Sequence, residues 1–408
     1  MTGPATSGPA TSGPTRVPLT VLDLVPVVSG SDAPEALRRS TDLARRAEAL
    51  GYARYWVAEH HLNPGVAGTA PAVVLALLGT VTTRIRLGSA AVLTGHRTAL
   101  SVVEEFGLLD AAYPGRIDLG LGRSGGRHLP PGQGTRSTGQ PSSPRPDGTP
   151  TDAGSAAGPP DEHGDRRAPN GLLLPAPFSS AALLSSPRFA LQAALLQQPE
   201  ARTPDYGDWV HDLLALLGDG LVSDDGVEAR PVPGAGSAVQ PWVLGSSPGR
   251  SAEVAGARGL RFGANYHVAP SAVLDAVAAY RSAFRPSPGL DRPHVSVSAD
   301  VVVAEDDAAA AELATGFGLW VHSIRSGQGA IAFPTPEEAR RHAWTDEERA
   351  LVRDRVATQV VGSPDTVVAR LEQLQEATGA DELAITTITH DHAARVRSYE
   401  LLADAWHG

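Results

Sequence analysis

Glu59-His60-His61 closes the stretch RYWVAEHHLNPG (54–65), an apolar and aromatic run that breaks off on three titratable side chains in a row. Folding alone does not ask for that. A carboxylate beside imidazoles can serve as acid, base or hydrogen-bond partner to a ligand near neutral pH. Two other readings compete: one histidine packs or caps while Glu59 pairs with an arginine, or the group binds a metal. A metal would require ligands from other strand ends. His96, His128, His267 and His390 are available, but none shows ligand spacing, so no metal is expected.

Three further stretches carry candidate chemistry. GSAAVL (88–93) places small residues where something flat could approach the backbone, although close strand–helix packing would explain them equally. LGLGRS (119–124) ends on Arg123, which could clamp a phosphate or carboxylate, or simply pair with an acid. VLGSSPG (243–249) offers Gly245, Ser246 and Ser247 ahead of a helix, where hydroxyls, backbone N–H groups and the helix dipole favour an anion. VGSPDT (361–366) is nearly the same helix start, so ordinary capping is the default for both. The combination with Arg123 on an adjacent strand raises 245–247 above that default and points to a phosphate-bearing cofactor.

Composition removes whole classes of chemistry. The 408 residues include no cysteine, which excludes thiolate nucleophiles, iron–sulfur clusters and Cys-ligated zinc. They also include no lysine, which excludes Schiff-base enzymes and P-loop hydrolases. A net charge of −11 argues against a nucleic-acid or anionic-membrane surface. The opening MTGPATSGPATSGPTR has no basic start followed by an apolar stretch. It reads as a flexible tail, 1–16, on a cytoplasmic protein.

The elements that must position these residues alternate along the chain. Strands are expected in 19–27, 52–60, 84–93, 116–122, 241–246, 260–267, 294–305 and 381–390. Helices are expected at 31–51, 70–82, 98–115, 248–259, 270–284 and 391–406. Asp32 and Glu35 have capping-box spacing, Pro34 sits in the first turn and Gly51 is a stop. Roughly eight short apolar strands, most followed by a helix, define an α/β fold of the (β/α)₈ TIM-barrel type. A Rossmann domain would want G-x-G-x-x-G after its first strand, and LDLVPVVSGS stands there instead. In a barrel, Glu59, His60 and His61 leave the second strand at the C-terminal face, where sites form. Residues 130–171 contain no Val, Ile, Leu, Met or aromatic residue. Such a stretch cannot offset its ordering entropy, so 124–187 is expected to be a disordered insertion after the fourth strand, dividing the barrel into 17–123 and 188–408.

RYWVAEHH, RIRLGSAAVL, LLDAAYPGRIDLGLGR and PWVLGSSPGRSAEVAGARGLRFGANYH, in this order and spacing, resemble the bacterial-luciferase-like, flavin-dependent monooxygenases. The C-terminal stretch from VVGSPDT to SYELLA fits as well, so the resemblance covers most of 17–123 and 240–406. It implies a (β/α)₈ barrel that uses reduced FMN and O₂ to oxygenate a small organic substrate such as an aldehyde or ketone. A separate flavin reductase and a homodimer are implied too. By the same resemblance Glu59 and His60 lie beside the flavin ring, with His60 the acid/base. Ala90-Ala91 would form a non-prolyl cis peptide beneath the ring, and Arg123, Gly245, Ser246 and Ser247 would hold the phosphate. His61 and His267 would line the substrate pocket.

The chain departs from the family in two places. Gly122 replaces the cysteine that precedes the arginine in luciferase, and SGGRHLPP follows Arg123 where many relatives continue with a Pro-Gly-Thr-Asp-like stretch. The alternatives are an F420-dependent oxidoreductase on the same barrel and a non-catalytic flavin-binding paralogue.

Overall fold

The computed structural model describes residues 16–123, 157–158, 160–198 and 200–408. Eight parallel strands form a closed ring: β1 Leu19–Asp23, β2 Arg54–Val57, β3 Arg86–Ser89, β4 Ile117–Gly122, β5 Gln240–Gly245, β6 Arg261–Asn265, β7 Val295–Val303 and β8 Glu382–Thr386. Each pairs with the next, and β8 returns to β1 with Leu19 opposite Leu383. The expected (β/α)₈ barrel is therefore the fold. Helices α1 Ala33–Ala49, α2 Pro71–Gly79 and α3 Ala99–Ala112 follow the first three strands. Then come α4 Tyr206–Leu217, α5 Arg250–Ala257 and α6 Val273–Ala283. The path from β7 to β8 includes α7 Phe317–Arg325, α8 Asp346–Thr358 and α9 Pro364–Thr378, and α10 His392–His407 closes the chain. Asp32 caps α1 as its spacing predicts, accepting from Glu35 N at 2.9 Å. Only half of the capping box forms, because the Glu35 carboxylate turns to Arg38 and Arg39.

Period-two alternation sorts each strand's side chains between barrel interior and helical shell. On β2, Tyr55 and Val57 join the outer core, while Trp56 packs inside with Leu22, Trp242 and Ala384. The interior is layered. At the bottom, Arg54 reaches Asp118 at 2.7 Å and Glu382 at 2.8 Å, and Arg86 pairs with the other Asp118 oxygen at 2.7 Å. The Trp56 and Trp242 rings meet edge to face above it, their centroids 4.9 Å apart. The space over the tryptophans stays open, and this is where the candidate site lies.

Two expected boundaries are corrected. Residues 1–15 lie outside the described residues, but Arg16 is anchored, paired with Glu372 at 2.9 Å and stacked over Trp406. The stretch 124–187 does not hold as one disordered insertion. Residues 124–156 and 159 are outside the described residues, whereas 165–175 includes residues packed against the barrel. Arg166–Arg167 and Leu173–Leu174 form a hairpin, and Ala168, Leu172 and Leu174 belong to the main core. Asp165 forms a bidentate pair with Arg353, and Asn170 exchanges hydrogen bonds with Gln373. Specific polar ties to α8 and α9 hold this segment where apolar content alone would not.

Candidate active site

A cavity of about 400 Å³ opens at the C-terminal end of the barrel. Trp56 and Leu22 form part of its base, and Glu59, His60, Ala90, Ala91, Arg123, Gly245, Ser246, Ser247 and His267 all line it. Every position expected from sequence as catalytic, cofactor-binding or pocket residue therefore borders one space, with a single exception. The exception is His61. It does not line the cavity; its imidazole lies 2.8 Å from the Glu59 carboxylate and packs edge-on against His96.

After β2 the chain is tied back to the barrel, with Ala58 N donating to Asp23 O and His60 N to Gly68 O. A Cβ at Gly68 would stand 2.9 Å from Ala58 O, so glycine permits that return. The loop fixes two contrasting environments. Glu59 accepts from Leu93 N at 3.1 Å and meets His61, His96 and Arg97 at 2.8, 3.1 and 3.7 Å. Burial works to raise its carboxyl, but the hydrogen bonds from His96 and His61 and the Arg97 charge outweigh that and hold it below the usual range. His60 is partly buried, and its enclosed Nδ1 has no hydrogen-bond partner among the described residues. Burial, helped by neighbouring His61, lowers its pKa to about 4, so the imidazole is neutral at pH 7.

The Ala90–Ala91 peptide is cis, as the family resemblance implies. Its small side chains and Gly122 make a low wall; a Cβ on Gly122 would lie 3.0 Å from the Ala91 Cβ. At the rim, the two similar helix starts behave differently. Ser363 caps α9 by accepting from Thr366 N. α5 begins at Arg250, two residues later than expected, and its N-cap Gly249 provides no side-chain acceptor. Ser246 and Ser247 are exposed beside this uncapped start.

The remaining wall is polar and was not anticipated. Ser296, Ser298 and Asp300 alternate along β7 and line the cavity with Asn265 and Arg355. Arg355, brought in by α8, binds Asp300 at 3.0 Å. Burial raises the Asp300 carboxyl despite that partner. His267 Nδ1 lies 2.5 Å from Ser298 Oγ, and burial beside Arg355 and His60 lowers the ring's pKa to about 3. Trp320 and Ile324 of α7 complete the enclosure. The alternation in VSVSADVVV signals this polar stripe, but nothing local in DEERALVRDRV marks Arg355 as its partner 55 residues on.

The luciferase-like monooxygenase family profile matches residues 18–141 and 186–382, and the chain belongs to this family. An uncharacterized Bacillus subtilis protein, YvbT, is 33% identical over 95% of this chain and 96% of its own length. A luciferase-like monooxygenase of Escherichia coli K12 is 31% identical, again over 95% and 96%. Among solved structures, apo-MsnO8 is 29% identical and superposes with a TM-score of 0.72, covering 96% of this chain and 98% of that one. Two more distant structures share the fold. They are the FMN complex of the oxygenating constituent of 3,6-diketocamphane monooxygenase from Pseudomonas putida (18% identity, TM-score 0.56, covering 95% and 97%) and an F420-dependent secondary alcohol dehydrogenase (15%, 0.55, covering 96% and 99%). No described helix is long and apolar enough to cross a membrane.

Proposed function

We propose that this chain is a monooxygenase that uses reduced FMN and O₂ to oxygenate a small organic substrate such as an aldehyde or ketone. One observation carries the reading: a neutral His60, whose buried Nδ1 has no partner among the described residues, shares a cavity with a small-residue wall and an uncapped helix start. These features fit a flat ring carrying a phosphorylated tail. Ala90, Ala91 and Gly122 leave room for the ring, while Arg123, Gly245, Ser246, Ser247 and the α5 start are placed to receive the phosphate. When bound, reduced FMN supplies the electrons that activate O₂.

The chain's own tasks are positioning and proton handling. His60 Nδ1 can accept or return a proton at the ring because burial keeps the imidazole neutral. Glu59, its charge engaged by surrounding donors, fixes the loop that presents His60 and anchors Leu93 beside the Ala90–Ala91 wall. Trp320 and Ile324 exclude water, and His267, Asn265 and Ser298 face the substrate. A separate reductase would deliver the reduced flavin. Val73 and Leu77 on α2 and Leu100 and Leu108 on α3 are exposed apolar side chains, which supports a homodimer through these helices. The protein would act in the cytoplasm.

The test is an anaerobic titration of the purified chain with reduced FMN and, separately, reduced F420, followed by admission of air and product analysis on aldehydes and ketones. Uptake of FMN with oxygen-dependent product formation is expected. Uptake of F420 alone, with hydride transfer to a ketone, would replace this reading with the dehydrogenase one. Binding without turnover of any substrate would leave a flavin-binding paralogue.

A further inference from the structure

Among the described residues, two groups bring three metal-capable side chains together, with ligand atoms within 4.8 Å of one another: Glu59 with His61 and His96, and His322 with His342 and Glu348. The first belongs to the site above and has Arg97 Nε 3.7 Å from the Glu59 carboxylate, a fixed cation that would repel a dication. The second lines no part of that cavity. It joins α7, which carries His322, to the first turn of α8, which carries Glu348, through His342 on the intervening connection.

We propose that His322 Nε2, His342 Nε2 and Glu348 form a site for a divalent transition-metal ion of the zinc class, completed by water. The spacing is the first argument. His322 Nε2 stands 3.5 Å from Glu348 Oε1, long for a hydrogen bond. Two ligands each 2.0–2.1 Å from a tetrahedral ion stand about 3.3 Å apart. His342 Nε2 lies 3.1 Å from the other carboxylate oxygen. The carboxylate is also held in advance. Thr345 N donates to Glu348 Oε2 at 3.0 Å in the capping box that starts α8, which limits its rotation. Among the described residues its ion-pair partners are the two histidines, with no arginine neutralising it. Trp344 packs edge-on against both imidazoles, with centroids 5.9 and 4.8 Å away, and supports their orientation. The side chains keep 13–27% exposure, enough for an ion to reach them from solvent. Two imidazoles and one carboxylate suit zinc-class ions better than magnesium or calcium, which take oxygen ligands.

A cation here fastens α7 to α8. Those helices also send Trp320, Ile324 and Arg355 into the cavity, so the metal orders one wall of the active site without touching cofactor or substrate. The experiment uses the full-length chain without a histidine tag, stripped with chelator and titrated with Zn²⁺ and with Co²⁺. One equivalent per chain is expected, with visible Co²⁺ absorption of the four-coordinate type and a Zn²⁺-dependent rise in Tm. Affinity should fall at least ten-fold in both His342→Gln and Glu348→Gln, with circular dichroism of the metal-free variants matching the parent chain. Absence of uptake by the parent chain overturns the proposal. So does uptake that survives both variants and disappears in His96→Gln.

Discussion

Glu59 and His60 are neighbours in the chain with opposite surroundings: four donors lie within 3.7 Å of the Glu59 carboxylate, and His60 Nδ1 has no hydrogen-bond partner among the described residues. The contrast divides their roles. His60→Ala should slow the air oxidation of bound reduced flavin and product formation by roughly 10²-fold or more, the scale of lost acid–base catalysis. FMN affinity should change far less. Glu59→Gln should instead lower the unfolding midpoint and weaken FMN binding, because it disturbs the Leu93 anchor. Stopped-flow absorbance and a binding titration on both variants decide the matter; equal losses of affinity would make His60 a binding residue.

The two partly buried histidines of the cavity set a pH dependence of stability. His60 and His267 are lowered to about 4 and about 3 from an ordinary value of 6.5. Between those values the unfolded chain binds protons that the folded chain refuses, so stability falls as pH drops below 6.5 and is flat above it. At about 1.4 kcal/mol per pH unit, each imidazole removes roughly 3 kcal/mol by pH 4. Urea midpoints from pH 7 to pH 4 should show this slope, and His60→Ala should flatten part of it. An unchanged slope in that variant would mean the ring is not buried neutral.

Arg123 and Ser251 of the α5 start both line the cavity. A charge-assisted phosphate contact contributes roughly 1.5–3 kcal/mol. Arg123→Ala should therefore weaken FMN binding by about ten- to a hundred-fold and leave riboflavin, which lacks the phosphate, nearly unaffected. Comparing the two ligands by flavin fluorescence isolates the phosphate contribution. Equal losses for both would remove Arg123 from that role.

The barrel was legible because strand periodicity and helix stops are local signals, as at Asp32, Gly51 and the apolar run of β2. The side of the site built from β2, β3 and β4 was legible for a related reason: it consists of short consecutive motifs at strand ends. The opposite wall was not, because it depends on contacts between distant segments. Asp300 acquires meaning only once α8 folds back to place Arg355 against it. His61 misled because adjacency in sequence does not set side-chain direction on a loop, and Glu59 draws its ring away from the cavity. The helices of 307–358 escaped the strand–helix reading because they interrupt its alternation.

Leu174 tests how firmly the hairpin after β4 is built in. It is 1% exposed and belongs to the main core. Leu174→Ala should lower unfolding stability by about 2–5 kcal/mol, the range for a buried leucine that leaves a cavity. Leu184→Ala, at a side chain 52% exposed, supplies the control and should cost little. Equal unfolding midpoints for the two variants would mean the hairpin contributes no packing.

Arg54 should be a sensitive position outside the cavity. It joins Asp118 and Glu382 across the barrel bottom, and its guanidinium lies 5.0 Å from the centre of the Trp242 ring that supports the site above. Arg54→Ala leaves Glu382 with His294 at 2.9 Å and Thr20 at 3.4 Å, and Asp118 with Arg86 at 2.7 Å and Trp56 Nε1 at 3.0 Å. Removing one member of a buried ionic cluster costs roughly 3–5 kcal/mol because the remaining charges stay desolvated. The loss should shrink in Arg54→Ala/Glu382→Gln, which also removes one of the two carboxylates that lost their arginine. A double-mutant cycle by urea unfolding measures the coupling, and strictly additive effects would show that the barrel bottom holds independent contacts rather than one network.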